Sequence, residues 1–251
     1  MQRIIGALIG LALFAAPAAA NDGKQAAAQA VEAAQGLQRY AAEVAAAGGR
    51  MDFGKGPGAE YMQRVFDQSS FASLPAPATS DLPTLIDWFG AVCNANYTIL
   101  YFGADPKQLT TLSQERIARN VAEYEDQFTT ATVFVHKMFP RLLSTTLDFV
   151  NALPEQDRTA KVRQDGLAKM RAGYVETVEG SLGFIAAGTA KAQNIRAIST
   201  ALRDNADLWA KLATPQDRGR LAKLIAAARD KAPDDQSSAN LRAMLGTVEA
   251  K

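Results

Sequence analysis

Cysteine and histidine are almost missing: the 251-residue chain has one of each, Cys93 and His136. A single cysteine excludes an intramolecular disulfide framework, so stability must come from packing. It also stands far from the start, so the cysteine that a bacterial lipoprotein needs just after its cleavage point is absent. A single histidine excludes a histidine-rich metal centre. The di-iron pattern of helical bundles needs two Glu-x-x-His motifs, and the residue three before His136 is Val133. The Cys-x-x-Cys-His of covalent haem is absent. A histidine–methionine haem is conceivable with His136 and a methionine such as Met138 or Met170, but neighbouring residues on one helix cannot supply both axial ligands and nothing else in the sequence supports it. No Gly-x-Ser-x-Gly elbow is present. The glycine-rich stretch Gly54-Lys55-Gly56-Pro57-Gly58 lacks the spacing and the Lys-Ser/Thr ending of a phosphate loop.

Charge of one sign is lacking too. Lys and Arg number 27 against 26 Asp and Glu. Neutrality argues against nucleic acid, whose binders carry a basic stripe, and against long-range steering. Alternating strand patterns are missing, as are hairpin signals. Beyond the first 20 residues no apolar run approaches the roughly 20 residues that a bilayer span requires.

What is present begins with an address. Arg3 is the only charge in the first 20 residues. The run from Ile4 to Phe14 is apolar, Pro17 breaks it, and Ala18-Ala19-Ala20 offers small residues for cleavage. This is the pattern of a signal peptide, removed after Ala20. The expected mature protein is periplasmic or secreted, with no membrane span once the signal is gone.

The rest of the chain carries helical periodicity. Val31, Ala34, Leu37, Ala41 and Val44 mark a first helix over about 24–47, ended by Gly48-Gly49. A short helix over 59–67 is expected, then an extended connector at Leu74-Pro75-Ala76-Pro77-Ala78. Asp81 and Pro83 open a helix that is apolar nearly all round, running to Leu100-Tyr101-Phe102. Ile117, Val121, Tyr124, Phe128, Ala131, Val135 and Met138 form a heptad seam at spacings of 4, 3, 4, 3, 4 and 3. Pro140 predicts a kink or break near 136–139, because proline inside a helix costs about 3 kcal/mol. Further helices are expected over 154–190, 191–212, 215–231 and 236–248. Thr214, Pro215 and Asp217 form a well-marked helix start. The fold expected is all-α: a multi-helix bundle with long helices, preceded by an N-terminal helix and an irregular strap. The expected division is a signal peptide over 1–20, the helix and strap over 21–80, and a bundle over 81–251, with 21–251 as one domain the simpler variant.

Candidate sites are few. Trp88, Phe102, Phe128, Phe134, Met138, Phe139, Phe149 and Met170 could line an apolar cavity, although ordinary core is the commoner role for such residues. Gly166, Gly173 and Gly180 recur every seven residues and suggest a groove for close helix packing. Cys93, in the apolar run from Trp88, reads as a small buried side chain rather than an intermolecular link. His136 is expected to be partly exposed beside the seam and to titrate near neutral pH. Glu123, Glu125 and Asp126 read as a solvated face, as do the mixed charges between Asp157 and Arg171. Asn96-Tyr97-Thr98 matches a glycosylation sequon but lies in an apolar helix. No catalytic residue, metal or cofactor is assigned. The leading expectation is a non-enzymatic binding or envelope-assembly module with a protein partner in the cell envelope. The alternatives are a carrier of an apolar, lipid-like small molecule in the bundle interior, and an enzyme of unknown class.

Overall fold

A computed structural model describes residues 21–73, 79–104 and 111–250. The segment read as a signal peptide and the Pro75–Pro77 connector lie outside the described residues. No strand occurs among the described residues, and the helices pack on one another throughout, so the fold is an all-α multi-helix bundle.

In chain order the helices are α1 (Asn21–Ala46), α2 (Gly56–Val65), α3 (Gln68–Ser73), α4 (Leu82–Leu100), α5 (Thr111–Glu123), α6 (Glu125–Asn151), α7 (Glu155–Arg158), α8 (Lys161–Ala186), α9 (Ala192–Asp204), α10 (Ala206–Leu212), α11 (Pro215–Arg229) and α12 (Asp235–Glu249). A 3₁₀ turn at Thr79–Asp81 leads into α4. The described chain forms two compact units that divide between Met138 and Phe139, inside α6.

In the first unit α1 packs on α4 and α2, from either side of the connector. The buried face of α1 is narrow and made of small residues: Ala27, Ala30, Ala34, Leu37 and Ala41 are at most 6% exposed. Small side chains bring α1 close to its neighbours. A Cβ added at Gly36 would overlap the ring of Tyr61, and one at Gly58 would overlap the Asp52 carbonyl. Larger residues fill the space beneath. Trp88 of α4 is fully buried and meets Phe71 edge-on and Phe134 at a tilt, with ring centroids 5.6 and 6.2 Å apart. Its indole N–H donates to the Val65 carbonyl at 3.0 Å, so the one polar atom of the ring is satisfied.

In the second unit α8 and α12 each pack on α9, α10 and α11. Met170, Tyr174, Val178, Leu182 and Ile185 supply the buried arc of α8, each fully shielded from solvent. Phe139 stacks on Tyr174 with centroids 3.9 Å apart. The expected start of α11 is a full capping box. Asp217 N–H donates to the Thr214 hydroxyl at 3.2 Å, and Thr214 N–H donates to the Asp217 carboxylate at 3.0 Å.

Two expectations change and a third is narrowed. Of the kink or break expected near 136–139, the break does not occur, since Pro140 lies inside α6 without ending it. Proline removes one hydrogen bond, but Phe134, Val135, Met138, Phe139, Leu142 and Leu143 around it are all buried. Burial at roughly 1.5–3 kcal/mol for each such side chain outweighs a local cost of about 3 kcal/mol. The helix expected over 154–190 instead breaks after Arg158 and restarts at Lys161. His136 is fully buried rather than partly exposed. Beside the heptad seam a second arc of α6, Thr132, His136, Phe139 and Leu143, is also covered. The buried face is therefore wider than a single seam.

Candidate functional site

The aromatic and methionine residues singled out as cavity lining belong to two different units. Trp88, Phe102, Phe128, Phe134 and Met138 fall in the first; Phe139, Phe149 and Met170 fall in the second. Trp88, Phe134, Met138, Phe139 and Met170 are at most 1% exposed, and Phe128 and Phe149 are half-buried. Trp88 packs against Phe134 and Phe139 against Tyr174, as the filling of a core. Of the whole set only Phe102 borders either of the two grooves described below.

The glycine series on α8 is not uniformly covered. Gly166 and Gly173 are buried, whereas Gly180 is exposed and a Cβ there would meet nothing within 4 Å. A strict seven-residue step drifts about 20° per heptad around a straight helix, so the third glycine is carried off the covered face. Close approach is seen at Gly36 and Gly58, which periodicity did not single out.

Reactive side chains are withdrawn from solvent. Cys93 is fully buried, and burial pushes its thiol up to about 12. Burial likewise lowers His136 to about 4, so the ring is neutral at pH 7. Among the described residues no group of three metal-ligating side chains is assembled. Asn96 of the sequon is fully buried and is not presented as a sugar acceptor.

Two surface grooves lie beside α1 and α4. One groove of about 370 Å³ runs between Gln38, Ala42 and Ala45 of α1 and Tyr97, Tyr101 and Phe102 near the end of α4. Its aromatic wall is built by local geometry. Tyr97 and Tyr101 are one helical turn apart, so their rings stack, with centroids 4.9 Å apart and planes 12° from parallel. Both are half-exposed. Burial, and then the neighbouring Tyr101 phenol, raise Tyr97 to about 12. The end of α4 beneath them is held by Asn120 of α5, whose side-chain amide donates to the carbonyls of Leu100 and Phe102 at 2.8 and 2.9 Å. Those are carbonyls that a helix end leaves unpaired. Gly103, with φ of 66°, then turns the chain away.

A second groove of about 480 Å³ lies between Lys24, Ala28, Val31 and Glu32 of α1 and Pro83, Thr84 and Asp87 of α4. Asp87 reaches solvent, yet its setting among the apolar residues of the groove desolvates the carboxyl and raises it above the ordinary range. No cation offsets this effect, and Asp87 has no ion pair with a described residue.

These residues escaped a reading that followed large apolar side chains. A usable signal was present all the same: a line of small and polar residues on α1 keeping the same three- and four-residue steps as the core. Compared with known proteins, the chain matches no family model, no curated protein and no solved structure.

Proposed function

We propose that this is an exported, non-enzymatic binding protein whose partner is another protein of the cell envelope, periplasmic or secreted in location. The observation that carries the reading is the half-exposed, stacked Tyr97–Tyr101 pair beside the alanine wall of α1. Tyrosines offer large contact area at low entropic cost and are enriched where proteins meet. Support also comes from chemistry. The only histidine and the only cysteine are fully buried, away from any solvent-borne substrate, and burial keeps the thiol protonated at neutral pH. The carrier reading draws no support from the core, where Phe71, Trp88 and Phe134 occupy the interior of the first unit.

Two experiments test this. Tagged protein isolated from its native cells should begin at Asn21 and be found outside the cytoplasm; intact Met1 on a cytosolic protein overturns the location. After mild cross-linking, it should retain a protein that the Tyr97→Ala/Tyr101→Ala variant loses roughly tenfold, as expected for a tyrosine hot spot. Circular dichroism should show that the variant remains folded. Identical retention by the folded variant, or no retained protein, overturns the binding reading.

A further inference from the structure

The two grooves lie one after the other along the same pair of helices. Helices α1 and α4 run parallel, because residues 24–35 of α1 face residues 83–87 of α4 and residues 38–45 face residues 97–104. On α1, Lys24, Ala28, Val31, Gln35, Gln38 and Ala42 follow one another at spacings of 4, 3, 4, 3 and 4. On α4, Pro83, Asp87, Gly90, Asn94, Tyr97 and Tyr101 do the same. Every one of these twelve residues is exposed or half-exposed. Between the grooves, Gly90 adds no bulk, and even a Cβ there would meet nothing within 4 Å. Two parallel helices that present such lines side by side offer the holes into which a third helix inserts its knobs.

We propose that the furrow between these two helices receives one amphipathic α-helix of the partner protein, about 20 residues long, with a basic side chain over Asp87 and large apolar side chains against Tyr97 and Tyr101. The proposal rests on the reading of the chain as a protein-binding module and names the partner's chemistry. Length comes first. From Lys24 to Ala45 α1 rises about 32 Å at 1.5 Å per residue, far more than a small apolar molecule fills. Shape comes second. Ala28, Ala42 and Gly90 project little, so the occupant must bring the bulk. A second copy of this chain is poorly equipped to do so, since Val162 is the one large apolar side chain it exposes among the described residues. Charge comes third. At one end Asp87 and Glu32 outnumber Lys24, and Asp87 is partly desolvated and makes no ion pair with a described residue, Lys24 of the same groove included. A cation from the occupant would offset that cost.

The test places a photo-cross-linking amino acid at Ala42, at Thr84 or, off the furrow, at exposed Arg242 of α12 in the full chain made in its native cells. Adducts from Ala42 and Thr84 should map by mass spectrometry to one helix of one protein, at positions roughly 15 residues apart. Asp87→Lys should lower the Ala42 adduct roughly fivefold, through like-charge repulsion of the basic side chain. Adducts from Arg242 alone would leave a protein partner standing and overturn the furrow. So would Ala42 adducts to a second copy, to a lipid or to a non-helical segment. No adduct from any position overturns both this inference and the binding reading.

Discussion

His136 holds a titratable ring where water does not reach, and this has a thermodynamic consequence. The folded chain lowers its pKa to about 4 through burial, against an ordinary value of 6.5. Above pH 6.5 the ring is neutral whether the chain is folded or not, and stability is unaffected. As the pH falls from 6.5 towards 4, the unfolded chain takes up a proton that the folded chain refuses, and stability drops. At about 1.4 kcal/mol per pKa unit the loss is on the order of 3 kcal/mol. Asp67, Asp217 and Asp234, lowered by hydrogen bonding or ion pairing, add losses only as the pH nears the carboxylate range; raised Asp87 works in the opposite sense. Guanidinium unfolding at pH 7 and 5 should therefore show a fall in stability that is much smaller in His136→Gln, whatever that variant's absolute stability. An equal fall in both would mean that the ring is not the titrating group. The glycines give a second comparison. Gly58→Ala forces a methyl onto the Asp52 carbonyl and should destabilise by about 1–3 kcal/mol. Gly180→Ala meets open space and should stabilise by roughly 0.5–1 kcal/mol. Thermal unfolding distinguishes these, since each kcal/mol moves the midpoint of a chain this long by about 2–4 °C.

Helix starts were more legible than helix interiors. The Thr214-Pro215-Asp217 start of α11 could be read because a cap is a local device, complete within four residues. Pro140 could not be read in the same way. Its cost is local, whereas the burial that holds α6 together comes from residues far along the chain, which a sequence window does not contain. The break between α7 and α8 was missed for the related reason that no glycine or interior proline marks Thr159–Ala160. If tertiary burial is what carries α6 past Pro140, then Pro140→Ala should restore one backbone hydrogen bond to the His136 carbonyl and stabilise the protein. The gain should be about 1–2 kcal/mol, below the roughly 3 kcal/mol cost of proline in a helix interior because the freer unfolded chain gives part of it back. Differential scanning calorimetry would read this as a rise in the midpoint; a fall would show that α6 needs the local geometry proline imposes. The furrow was visible only in part. The alanines of α1 were noted for modest burial, but which of its lines faces a neighbour and which faces solvent is decided by where α2 and α4 pack.

The chain as a whole shows how a protein with a single cysteine is held together without a covalent staple. Its all-α character followed from spacing alone, because three- and four-residue steps recur nearly everywhere and no competing alternation exists. The division inside α6 did not, because it reflects contact density in space and leaves no mark in composition at Met138 and Phe139. An oxidising compartment threatens a free thiol with disulfide formation, and this protein has one thiol to lose. Packing protects it. Cys93 is fully buried in α4, as Trp88 and Phe89 are, and burial pushes its thiol up to about 12. Because only the thiolate attacks, modification must wait until the surrounding helices open. A thiol reagent added to native protein should therefore label Cys93 no faster than the first unit unfolds, and the labelling rate should become independent of reagent concentration at high excess. Native protein left in air should give no disulfide-linked dimer on a non-reducing gel, while protein held in denaturant should give one. Labelling as fast as that of a free peptide would show that the helices around α4 do not close over this residue, and with it the packed core proposed to replace covalent links would fail.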